Sequence, residues 1–105
     1  MSHQLNAINH FISRLDGNDG TSKTLRSILT NLGKEVETLD SLPNDADLDA
    51  ARARLRQVIA QSKADIDAQL VSFNAKTIHE SRYQASLKDT CSGAINSASD
   101  LAKEW

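Results

Sequence analysis

The sequence predicts an all-α protein: one antiparallel helical bundle of about four helices of unequal length, coiled-coil-like in its narrow seams, over residues 1–105. Three observations lead there. Apolar residues recur at three- and four-residue steps rather than alternating. Turn chemistry is concentrated in two places, DGNDG at 16–20 and LPND at 42–45. Aromatic residues make up only 4% of the chain, so Leu, Ile, Val and Ala must build the core, which suits helix–helix seams better than a wide β-sandwich.

Leu5, Ile8, Ile12 and Leu15 lie on one face of a first helix, over about 3–15, with Phe11 widening the stripe and Ser2 placed as its N-cap. Two glycines, an asparagine and two aspartates then end it. Thr21 or Ser22 is expected to cap a second helix over about 22–42, whose stripe is Leu25, Ile28, Leu29, Leu32, Val36 and Leu39. Gly33 lies within that stripe and marks either a close helix approach or a tolerated flaw. Pro43 disfavours helical geometry at Leu42 and closes the segment.

Asn44 or Asp45 is expected to cap a third helix over about 45–74, with Asp45, Asp47 and Asp49 favourably placed at the positive end of its dipole. Its apolar face includes Leu48, Leu55, Ile59, Ile66, Leu70 and Phe73. Continuing in heptad steps from Phe73, the seam passes through Thr77, Glu80 and Gln84 before turning apolar again at Leu87. TIHE at 77–80 has the form of a capping box. A break near 74–77 and a fourth helix over about 78–104 follow, with a single continuous helix from Asp45 as the alternative.

The fourth helix contains DTCSGAINSASD at 89–100, rich in poor helix formers. Leu87, Cys91, Ala94, Ala98, Leu101 and Trp105 nevertheless share a face, and small side chains in the seam allow a neighbouring helix to come close. Such a helix depends on packing, either inside its own bundle or against another chain. Leu87, Ala94, Ala98, Leu101 and Trp105 are therefore the candidate protein-interaction residues. Trp is the residue type most enriched at binding hot spots.

No catalytic, cofactor-binding or metal site is expected. A calcium loop counted from Asp45 needs glycine and glutamate where Ala50 and Arg56 stand. His3, Asn6 and His10 carry no accompanying ligand motif. Cys91, the only cysteine, lies on the small-residue seam and reads as a buried, inert thiol. Arg52, Arg54 and Arg56 point in different directions at two-residue spacing, with Asp49 within reach of Arg52, so they make no single basic edge. A net charge of −2 and a pI near 5.8 give no electrostatic reason to bind nucleic acid.

No apolar run approaches the ~20 residues that span a bilayer, and the N-terminus lacks a secretory pattern, which predicts a cytoplasmic protein. The order of helix, Pro-Asn-Asp turn and longer helix loosely resembles subunits of bacterial secretion needles. The stretch ASDLAKEW loosely resembles the segment before the anchor in ElaB-type inner-membrane proteins. Neither resemblance assigns a residue.

The function expected is non-enzymatic: a small adaptor, regulator or inhibitor that binds another protein. Mismatched helix lengths suggest self-association as a symmetric homodimer. Two rival readings stay open. One is a ligand-binding protein or enzyme with a pocket near His79, Glu80 and Tyr83. The other is the soluble part of a small membrane- or secretion-associated helical protein.

Overall fold

A computed structural model describes residues 3–15, 18–43 and 45–103. Four helices account for nearly all of them: α1 (His3–Arg14), α2 (Gly20–Asp40), α3 (Leu48–Ser72) and α4 (Ile78–Lys103). The break between the last two helices falls where the polar seam positions place it, and the continuous-helix alternative does not occur. Phe73 leaves helical geometry at ψ 109°, ending α3. The Thr77 hydroxyl then accepts the Glu80 N–H at 3.0 Å, opening α4.

Two of the expected caps move. Asp19, rather than Thr21 or Ser22, caps α2 by accepting the Ser22 N–H at 2.8 Å, and Ser22 becomes a core residue. Asp47, rather than Asn44 or Asp45, caps α3 through the Ala50 N–H at 3.1 Å. In each case several adjacent side chains have a suitable oxygen. At the second site Ala46 N–H donates to Pro43 C=O in a turn that delays the helix. Ser2 and Asn44 lie outside the described residues.

The helices pack in an antiparallel square. α1 lies against α2 and α4, α3 lies against α2 and α4, and α2 also touches α4 across the diagonal, while α1 and α3 do not meet. The body is elongated, 53 × 22 × 19 Å. Leu25, Leu29, Leu32 and Val36 of α2 are completely buried, so this stripe is the spine of the core.

Helix ends leave carbonyls short of partners, and at three helix ends here four carbonyls receive a side chain from a following or facing helix. Arg26 donates to Leu15 C=O, Gln84 to Leu70 and Phe73 C=O, and Arg56 to Ala102 C=O. Gln84 thus explains its own place in an otherwise apolar heptad. It is the lid on the end of α3.

Of the glycines, Gly33 proves to be the tolerated one. A Cβ there would meet Ile8 and Ile12 at 3.6 and 3.8 Å, ordinary contact distances. The close approach is at Gly93 instead. A Cβ there would stand 2.4 Å from the tip of the Phe11 ring.

Candidate interaction surface

The residues expected to face a partner are turned inward. Leu87, Ala94, Ala98 and Leu101 are buried by the chain's own helices, and Trp105 lies outside the described residues. The small seam of α4 therefore works as an internal packing surface. Ala94 and Ala98 are completely enclosed, and one residue away Gly93 receives Phe11 of α1. The abundance of Ser, Asn, Gly and Ala in α4 follows from this geometry: Gly93 admits Phe11 of α1, and Ser92 and Asn96 face outward.

The rival site near His79, Glu80 and Tyr83 is built differently. The Tyr83 hydroxyl donates to Asp19, the cap of α2, and so ties the start of α4 to the start of α2. That bond, followed by the Ser22 N–H, holds the Asp19 carboxyl below the usual aspartate value. His79 is exposed and Glu80 half-buried at the first turn of α4.

The three arginines diverge. Arg54 forms a two-pronged ion pair with Glu35 of α2, both contacts at 3.2 Å. Arg56 is engaged by Ala102 C=O, and Arg52 is buried.

A hollow of about 550 Å³ lies at the end of α2 around Lys34, Thr38 and Leu42. Another concave surface among the described residues lies between α3 and α4, on their outer side. A cleft of about 300 Å³ has Ile66 and Leu70 of α3 and Cys91 and Ile95 of α4 along its floor, with Lys63 and Lys88 at its edges. A second, of about 570 Å³, adjoins it through the shared residues Asp67, Leu70 and Lys88 and extends to Val71, Ser81 and Ala85. Farther along the same two helices a smaller hollow of about 170 Å³ is bordered by Arg56 and Lys103. None of these hollows is lined by His79, Glu80 or Tyr83.

Val71 closes the open end. It is 85% exposed on the last turn of α3; Ile78, the other large aliphatic exposed among the described residues, lies outside the hollows. Cys91 sits on the groove floor but is itself buried, and desolvation pushes its thiol up to about 11. At neutral pH it is a thiol, not a thiolate, and gives the groove no nucleophile. Among the described residues no three His, Cys, Asp or Glu side chains gather to hold a metal ion. Nor, among them, is any helix long and apolar enough to cross a membrane.

Sequence periodicity marks the inner stripes of α3 and α4 but carries no sign of this groove. Its rim comes from positions that alternate Lys, Asp, Ser and Asn without a repeat, on two helices whose relative rotation is set by packing. Comparison with protein families, with curated proteins and with solved structures finds no match for this chain.

Proposed function

We propose that this chain is a non-enzymatic, cytoplasmic protein-interaction module that binds a partner protein in the groove between α3 and α4. The observation that carries this reading is the continuous hollow from Ile95 to Val71, apolar along its floor and ending on an exposed valine. Concave surfaces lined by apolar side chains with a few polar groups at the edge are where proteins take up ligands and partner segments. An adaptor, regulator or inhibitor requires nothing more than such a surface on a stable frame. The residues in the α4 seam contribute indirectly, by fixing α4 against α1 and α2 so that the groove keeps its shape.

Self-association gains less support from this surface. In a symmetric dimer a patch meets its own copy, and the groove edges would set Lys63 and Lys88 against the same lysines.

A photo-crosslinking residue placed at Val71 or at Ser92 tests the reading in cells. The expected result is the same partner adduct from both positions and none from Thr30, which is exposed on α2. Equal adducts from Thr30, or none from the groove positions, would overturn it. Sedimentation equilibrium of the purified chain reports separately on the homodimer.

A further inference from the structure

We infer that the occupant of the α3–α4 groove is an amphipathic helix with acidic residues flanking its apolar stripe; this rests on the reading of the groove as the working surface. Three features of the groove select that chemistry.

The first is periodicity. The floor residues come in pairs one helical turn apart, Ile66 with Leu70 on α3 and Cys91 with Ile95 on α4. Ridges at that spacing receive side chains that recur at three and four residues, the pattern of another α-helix. From Ser81 to Asn96 the two clefts follow α4 for about 22 Å at about 1.5 Å per residue, enough for roughly four turns of a ligand helix.

The second is the backbone. Both walls are helices whose main-chain groups bond within themselves, so the groove offers no strand edge to which an extended peptide could add. A ligand must bring its own satisfied backbone into this apolar trough. A helix does so.

The third is charge. Among the residues lining the two joined clefts, Lys63 and Lys88 are cations and Asp67 is the one carboxylate. Arg56 and Lys103 border the separate hollow farther along. The whole chain carries −2, whereas this strip of its surface carries more cations than carboxylates. Complementary charge steers encounter and sets orientation and partner choice. It favours carboxylates beside the ligand's apolar stripe and opposes a second copy of the same strip. The enclosed floor leaves Val71 as the main uncovered aliphatic group, so the contact belongs with weak, transient associations.

The test uses the full chain, labelled with ¹⁵N, and three synthetic peptides of about four helical turns. One carries leucines at i, i+4 and i+7 with flanking glutamates, the second replaces the glutamates by lysines, and the third replaces the leucines by serines. The first peptide is expected to shift the amides around Lys63, Val71, Lys88 and Ile95, and the other two to leave them in place. The double substitution Lys63→Glu with Lys88→Glu is expected to weaken the first peptide about tenfold and to admit the lysine peptide. Both lysines are exposed, and circular dichroism checks that the helices are retained.

Equal binding of glutamate and lysine peptides, shifts centred on α1 and α2, or tighter binding of a single-stranded oligonucleotide at the same site would overturn the inference. A partner crosslinked from Val71 through a strand or loop would also overturn it while leaving the interaction module intact. Absence of any groove adduct would instead remove the module.

Discussion

α4 has two long faces, and the bundle treats them differently. Toward α1 it presents Gly93, where the ring of Phe11 enters the space that a side chain would fill, and Ala94 and Ala98 beside it are fully enclosed. Ile8 and Leu15 of α1 are sealed as a result. Toward α3 it presents Lys88, Ser92, Ile95 and Asn96, and apart from Cys91 the apolar residues along the hollows stop short of full burial. Ile59, Ile66, Leu70 and Ile95 keep between 5% and 8% of their surface. One face is closed by small residues that permit contact, the other held open by longer polar ones. The lesson is that a small-residue stripe marks where a helix has already found its neighbour, and the polar face beside it is where to look for another.

Cavity costs give the sharpest way to break this contrast. Ile8→Ala on the sealed side is expected to destabilise the chain by about 3–4 kcal/mol, because its surroundings are fixed from all sides. Ile66→Ala on the groove side should cost about 2 kcal/mol, since solvent-facing side chains can settle into the gap. Urea denaturation of both variants measures the difference, and equal losses would mean that the two seams are equally tight.

Gly93→Val probes the closed face alone. The added bulk must displace Phe11, at about 1–3 kcal/mol. In a Phe11→Ala background the same change should cost much less, and a double-mutant cycle reads the coupling. Additive losses would place the strain elsewhere.

Gln84→Ala tests the end of the open face. It removes the side-chain donor from Phe73 C=O and one of the two donors from Leu70 C=O at the last turn of α3, for about 1 kcal/mol. Hydrogen exchange should rise there and at Val71 before it rises in α2.

The smallest expected effect is electrostatic. Tyr83→Phe removes the leading contact that holds the Asp19 carboxyl low, so its pKa should rise toward the ordinary aspartate value. The sign follows from linkage. A depressed carboxyl contributes stability above its unfolded pKa and loses that contribution as pH falls through the folded value. The wild-type chain should therefore be the more stable of the two at neutral pH, and the difference should vanish as pH falls through the folded pKa of Asp19. Carboxyl-carbon NMR titration of Asp19 checks it.

What the sequence disclosed follows from what local chemistry determines. The four helices were legible because each stripe keeps a helical period and each break carries its own signal, down to Glu80 and Gln84 interrupting an apolar heptad. The caps at Asp19 and Asp47 were not, because neighbouring Asp, Asn, Ser and Thr all carry an acceptor and the incoming chain path chooses among them. Gly33 and Gly93 look alike in the sequence, and only the rotation of α1 against α2 and α4 tells the tolerated glycine from the required one. For Leu87, Ala94, Ala98 and Leu101 the limit was more basic. A buried stripe has the same pattern whether its own chain or another covers it.

The contact between Phe11 and Gly93 also bears on the order in which the chain assembles. It joins residues near the two ends of the chain, whereas α2 with α3 and α3 with α4 are hairpins between sequence neighbours. Closing the longer loop has the greater entropic cost, though the cost grows slowly with length. Local hairpins favour fast folding, and a late-docking α1 would be absent from the rate-limiting ensemble. Gly93→Val should then speed unfolding and leave the refolding rate nearly unchanged, a low φ-value at the place where Phe11 leaves no room for a side chain. α1 would be the last helix to arrive and the first to leave, and the lifetime of the folded chain would be set at that joint.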